Sequence, residues 1–260
     1  KRTCDFLISE LPQFKEQMVL TGATGFDRFK LYKFKSRNDF FEKYGLKHFD
    51  RVIGYAGWAF RKLFDDRMIS EMVHLHENNP EKIQYLKNQM YLVEEVLRQL
   101  VVSNPDTLFI LKRHPNEVHP HIIKRETNEM IRLKDYPNVI YLVDEEEVHN
   151  LISISDLWLG YETTTALESW LLNKVTILIN PDPNFVRDKL MLGSVVVQSN
   201  RELSALLDEY YKTGTIAAFQ TEERTEHRKR LIKETIGFSD GLNHIRTGLY
   251  LEKVLKRINR

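Results

Sequence analysis

One cysteine, Cys4, stands in a chain of 260 residues. It excludes an intrachain disulfide and a cysteine-built zinc site, and it fits a reducing cytoplasm. No apolar run approaches ~18 residues, so nothing in the sequence reads as a membrane span. An excess of one charge is also missing: 38 Lys and Arg stand against 37 Asp and Glu, a formal charge of +1. That balance, spread along the chain, argues against nucleic acid as a partner, because such binding rests on clustered cations neutralising phosphates. There is no Walker-type phosphate loop, no GxGxxG, no GxSxG and no HExxH. Kinase-like nucleotide binding, Rossmann dinucleotide binding, serine hydrolysis and zinc hydrolysis therefore lack a sequence anchor. The first residues have no signal-peptide core and no initiator Met, and they read as a cut inside a longer protein.

What the chain does have is alternation. Short β-rich apolar runs occur at Val52–Tyr55, Thr107–Leu111, Val139–Leu142, Leu157–Gly160, Val175–Ile179 and Val195–Val197. Between them lie helical patterns. Ile83 to Val101 carries apolar residues close to a 3.6 period, and Glu145–Ile154, Thr164–Leu172, Glu202–Tyr211 and Leu242–Ile258 follow the same rule. The fold class is α/β: a Rossmann-like parallel sheet with helices on both faces. Residues 1–48 read as the tail of a preceding domain and its linker, with short strands expected at Asp5–Ile8 and Val19–Thr21. Residues 49–260 read as the main domain with a closing C-terminal helix. Ligands in such sheets lie beyond the carboxyl ends of the strands, which directs attention to 57–61, 112–117, 143–146, 161–165 and 180–184.

Lys112, Arg113 and His114 end the second main-domain strand and offer positive charge and directional donors to a phosphate. A solvated basic loop is the alternative. Thr163, Thr164 and Thr165 open a helix after the Leu157–Gly160 strand, where unpaired backbone N–H groups and the helix dipole favour an anion. Glu168, three residues beyond Thr165, suits a ribose diol or closes a capping box. Asn180-Pro181-Asp182-Pro183-Asn184 is a rigid loop with polar groups for sugar hydroxyls, or a plain turn. After the first main-domain strand, Gly57 allows close backbone approach and Arg61 can reach a phosphate, whereas Trp58 and Phe60 read as packing. Asp144 to Glu147 read as first-turn carboxylates favourable to a helix dipole, without the ligand spacing of a calcium loop. Glu222 to Lys233 read as a solvated helix face, with contact to a membrane surface or a partner helix as the alternative.

With these residues laid out, the chain resembles the donor-binding half of a GT-B glycosyltransferase, more narrowly the bacterial surface-carbohydrate group related to Kdo, sialyl and CDP-glycerol transferases. Gly22-Ala-Thr-Gly-Phe-Asp27 resembles that group's glycine-x-x-x-Phe-Asp signature, Lys112-Arg-His-Pro115 its His-Pro motif, and Asp156 to Ser169 its strand-turn-helix ending in Thr-Thr-x-Leu-Glu. The resemblance implies a glycosyltransferase of bacterial surface polysaccharide synthesis that takes a CMP-, CDP- or UDP-linked sugar as donor substrate, with no further cofactor and no metal. Its partners would be the nucleotide-sugar and a glycan or lipid-linked acceptor. Its place would be the cytoplasm, at the inner face of the membrane if the basic face docks there. His114 would be catalytic. Arg113, His114, Thr163, Thr164 and Thr165 would bind the donor phosphates, Glu168, Tyr141 and Leu142 the ribose and base, and Glu162 and Asn184 the sugar. The preceding domain would supply a catalytic base, Asp27 being the one remote candidate within this chain. A UDP-sugar 2-epimerase and a non-catalytic scaffold of the same architecture remain open.

Overall fold

The computed structural model describes residues 2–64, 66–75, 79–115, 127–182 and 189–258. Asn184, expected to contact sugar, lies outside these described residues, as does Pro183. Six strands, β1 (Arg51–Ala56), β2 (Thr107–Lys112), β3 (Val139–Leu142), β4 (Leu157–Gly160), β5 (Val175–Ile179) and β6 (Val195–Val197), form one sheet in the order β3-β2-β1-β4-β5-β6. Every pairing is parallel. Helices in chain order are α1 (Arg2–Glu10), α2 (Arg28–Leu31), α3 (Arg37–Lys43), α4 (Asp66–Leu75), α5 (Pro80–Ser103), α6 (Val148–Ile154), α7 (Thr165–Leu171), α8 (Lys189–Gly193), α9 (Asn200–Thr213), α10 (Glu222–Ile236) and α11 (Asn243–Ile258). The fold is the Rossmann-like α/β class. Among the described residues no helix is long and apolar enough to cross a membrane.

Both faces of the sheet are covered. On one, Val52, Leu108, Ile110 and Trp158 pack with Phe40 and Phe41 of α3 and with Leu151 and Ile152 of α6. Their strand neighbours Ile53, Tyr55, Phe109, Leu111, Leu157 and Leu159 point the other way, as period two requires, and are 1% exposed or less. This burial on both faces explains why the strands read as unbroken apolar runs. The long helix α5 starts on an Asn79 cap followed by Pro80 and buries Leu86, Met90, Val93, Leu97 and Leu100.

The chain forms two compact units, Lys35–Thr221 around the sheet and Lys1–Phe34 with Glu222–Arg260. The boundary expected near residue 48 therefore falls before α3 in the contact pattern, and α10 and α11 group with the N-terminal segment. Specific bonds account for the first shift. Ser36 and Asp39 form a reciprocal capping box that starts α3. Arg37 then donates to the carbonyls of Ile154 (3.0 Å) and Asp50 (3.1 Å) and to the Asp156 carboxylate (2.8 Å). The buried Glu146 accepts from Lys35 at 3.1 Å and from Lys43. In the other unit, Ala23 N–H donates to the Ile236 carbonyl at 2.8 Å.

Two expected strands are absent. Asp5–Ile8 lies within α1, and Val19–Thr21 has no regular structure. A short apolar run cannot by periodicity tell helix from strand, and a strand needs a neighbour, which neither segment has. The helix expected from Glu145 begins only at Val148. Glu145 instead accepts from the Val143 N–H (2.6 Å), and Glu146 is held by lysines from outside the segment, so these carboxylates are turn and ion-pair groups rather than a first helical turn.

Candidate functional site

The strand order runs outward in both directions from β1 and β4, so the connections leave the sheet to opposite sides there. That switch point opens a crevice beyond the carboxyl ends of β1 and β4. The loops after β1, β2 and β4 meet around it. β2 and β4 flank β1, which puts their exits roughly 10 Å apart.

After β2, the three expected cations divide. Lys112 is buried and donates to the Val143 carbonyl; burial lowers its pKa, and the carboxylates of Asp144 and Glu145 oppose that. Its ammonium thus ties β2 to the turn after β3. The Arg113 N–H donates to the Leu142 carbonyl at 2.9 Å, and its guanidinium lies 4.0 Å from Asp144. His114 follows where the ladder ends. Burial, reinforced by the charge of Lys62, holds its imidazole below the ordinary value, so it is neutral at pH 7 and offers a neutral N–H.

After β4, Glu162 adopts φ 44°, a left-handed conformation rare for a side chain that is not Asn, Asp or Gly. It reverses the chain into α7. Thr163 is buried, its hydroxyl lies 2.9 Å from that of Thr165, and it accepts from the Thr165 N–H at 3.2 Å. Thr165 also accepts from the Trp158 indole at 2.8 Å. Thr164 is the helix N-cap, exposed and without a side-chain cap bond. Glu168 is then the fourth helical residue rather than the third. The capping-box alternative fails on register. The threonine run serves two purposes: Thr163 and Thr165 fasten the turn to the core, and Thr164 faces solvent.

After β1, Gly57 donates to the Lys112 carbonyl (2.9 Å), and a Cβ there would meet Met130 Cε at 2.5 Å. Trp58, Phe60 and Tyr161 form one aromatic cluster, with centroids 4.8 Å, 5.0 Å and 6.0 Å apart, joining the loops that follow β1 and β4. Phe60 is fully buried and Trp58 partly exposed, so Trp58 is both packing and crevice wall.

The expected base contacts lie one strand outward. Tyr141 accepts from the Asn128 amide at 2.9 Å. Leu142 is a core residue, and its carbonyl is engaged by Arg113. Asn180, at the end of β5, is 3% exposed, its N–H donates to the Val197 carbonyl at 2.8 Å, and its side-chain amide nitrogen is buried without a partner among the described residues. Asp27 belongs to the other unit. Its oxygens accept from Asn243 and His244, which leaves it poorly disposed as a base.

Sequence reasoning missed Glu129. It is completely buried, and its Oε1 accepts from the Tyr55 hydroxyl (2.8 Å) and the Trp58 N–H (3.0 Å). Thr127-Asn128-Glu129 reads as an ordinary polar turn, and no local signal marks it as interior.

No protein-family model matches the sequence, and no curated protein matches it. Solved structures do. A variant of the wall teichoic acid polymerase TagF matches with a TM-score of 0.58 at 13% identity, over 100% of this chain and 58% of the other. A Listeria monocytogenes protein described as a UDP-N-acetylglucosamine 2-epimerase matches with a TM-score of 0.52 at 14% identity, over 99% and 58%. MnaA of S. aureus, solved with UDP, matches with a TM-score of 0.50 at 18% identity, over 99% and 60%. The chain thus spans less than two thirds of the length of each. At such identities the likeness shows the fold, the GT-B type.

Proposed function

We propose that the chain is the donor-binding part of a GT-B glycosyltransferase that uses a nucleotide-activated sugar in bacterial surface-glycan synthesis. The carrying observation is the placement of Arg113 and His114 after β2 and of the Glu162–Thr165 turn after β4, on either side of the β1 exit at the switch point. A nucleoside diphosphate laid across that edge has its phosphates within the span of both loops. As the bond to the departing nucleotide phosphate breaks, from sugar carbon to oxygen for a sugar donor or from phosphorus to oxygen for a CDP-glycerol donor, that phosphate gains negative charge. Arg113, the His114 N–H and the exposed Thr164 hydroxyl are the donors assigned to stabilise it, an electrostatic role that needs donors fixed in advance. Glu168 is assigned to the ribose and Glu162 to the sugar. The likeness to TagF, which has also been solved after a CDPG soak, favours the CDP-glycerol branch over the Kdo and sialyl branches.

A UDP-sugar 2-epimerase is the second reading, favoured by the likeness to the Listeria monocytogenes protein described as an epimerase and to MnaA solved with UDP. Thermal shift against CMP, CDP, UDP, GDP and ADP separates the readings. A ligand at ~100 times its dissociation constant adds about 2.7 kcal/mol, which is a clear shift. Stabilisation by CDP or CMP that disappears in His114→Ala supports the transferase. Stabilisation by UDP, with a UDP-sugar epimerised in the absence of any acceptor, supports the epimerase. No response to any nucleotide defeats both and leaves a scaffold role.

A further inference from the structure

The aromatic wall of the crevice depends on how the loop after β1 is held, and one interior carboxyl group holds it. Glu129 is 0% exposed. Its Oε1 ties the Tyr55 side chain, near the end of β1, to the Trp58 backbone, the first turn beyond it. The same oxygen lies 3.3 Å from where a Cβ on Gly57 would stand, so Glu129 lies directly against the loop backbone. Its Oε2 is buried with no partner among the described residues. A carboxylate in such a place loses its hydration, and the hydrogen bonds it accepts return only part of that loss. Burial accordingly pushes Glu129 up to about 7, while the hydrogen bonds from the backbone and Tyr55 oppose this and the charge of Glu94 adds to it. Among the described residues the titratable groups facing it are Tyr55 of β1 and Glu94 of α5.

We propose that Glu129 is a positioning residue for the nucleotide site, holding the Trp58 backbone and through it the Trp58–Phe60–Tyr161 wall at the β1–β4 switch point. This rests on the nucleotide-binding reading above, yet it can be measured without any nucleotide. Amide exchange over Trp58–Phe60, expressed as protection factors, reads the loop directly. Glu129→Ala should lose about tenfold in protection there, the scale of one or two missing hydrogen bonds. At pH 4.5, where the wild-type carboxyl holds its proton in the closed loop, Glu129→Gln, neutral and of the same shape, should stay within about threefold of wild type by the same scale. Protection in the wild type should fall as pH rises from 5 to 7.5, because the closed loop binds the proton more tightly than the open one. That fall should be absent in Glu129→Gln and should continue to higher pH in Tyr55→Phe, which removes one donor to the carboxylate.

Nucleotide affinity gives the second reading: about tenfold weaker in Glu129→Ala and restored in Glu129→Gln. Unchanged protection in Glu129→Ala, or equal loss in Glu129→Gln, overturns the proposal. So does a flat wild-type pH profile. If Glu129→Ala does not fold, Glu129→Gln and Tyr55→Phe decide through the pH profile. If wild type binds no nucleotide while the exchange results hold, the nucleotide reading falls and the control of the Trp58 loop by Glu129 stands. If nucleotide binds and Glu129→Ala binds it equally well, the positioning role falls and the nucleotide reading stands.

Discussion

Asp27 and Asn243 lie 216 positions apart and share two hydrogen bonds, from the Asn243 backbone N–H (3.2 Å) and side-chain amide (2.8 Å) to Asp27 Oδ1. His244 completes the arrangement, donating from its backbone (2.7 Å) to Oδ2, with its ring nitrogen 2.8 Å from the same oxygen. Gly22 adopts φ 90° beside them, and a Cβ on it would overlap the Asn243 side chain. The glycine and the aspartate at the two ends of Gly22–Asp27 therefore serve one purpose: they receive the start of α11.

Asp27→Asn should accordingly destabilise the unit by about 1–2 kcal/mol at pH 7, the scale of a lost helix cap with a charged acceptor. Burial alone would raise the Asp27 pKa, but the bonds from His244 and Asn243 outweigh it and the net shift is downward from 3.8. A depressed carboxyl stabilises the fold above its unfolded value and loses that contribution as pH falls through the folded one. The gap between wild type and Asp27→Asn in urea melts should be full at pH 5 to 7 and close below 3.8.

The proposed contact of His114 with the donor phosphate predicts a pH signature in ligand binding. The free imidazole titrates below 6.5 because of burial and Lys62, and a bound phosphate raises it, so binding takes up a proton. Affinity for the preferred nucleoside diphosphate should strengthen as pH falls from about 7.5 to 6. Titration calorimetry should show a markedly steeper slope in wild type than in His114→Gln, the remainder coming from the ligand's own phosphate. A slope unchanged in the variant removes His114 from the phosphate site.

The bond between Trp158 and Thr165 joins the sheet to the turn. Trp158 is fully buried and its indole N–H donates to Thr165 Oγ1. Thr165→Val leaves that donor without an acceptor and should cost about 1–3 kcal/mol, whereas Thr165→Ser should recover most of it. Thermal melts of the two variants measure the difference directly.

Glu129 makes global stability fall with pH in an unusual window. A carboxyl raised from 4.5 to about 7 by burial disfavours folding progressively between those values and by a constant amount above them. Glu129→Gln removes that dependence. Its stability relative to wild type should increase by roughly 3 kcal/mol between pH 4.5 and 7 and then level off. A difference that does not change with pH would show that Glu129 does not titrate there.

The sheet was legible because its central strands are buried on both faces. Val139–Leu142, Leu157–Gly160, Val175–Ile179 and Val195–Val197 are apolar runs cut off by polar turns, and the observed strands have these bounds. Capping chemistry was equally local: Ser36 and Asp39, or Ser199 and Glu202, stand at box spacing in the sequence and form their bonds in the structure. The candidate site was legible only as far as strand ends locate it. Which side chains at those ends face a ligand and which are tied into the core was not, as Lys112, Thr163 and Thr165 show.

Sequence by itself determined the α/β alternation, the six strand segments and the loops where chemistry gathers, because periodicity and punctuation are properties of neighbouring residues. Tertiary structure alone decided that α3 joins the sheet, that Asp27 receives α11, and that an unremarkable Glu129 becomes an interior acid beneath Trp58. These depend largely on distant partners, 71 positions away for Trp58 with Glu129 and 217 for Asp27 with His244, and a local pattern records that a segment is buried without recording what buries it.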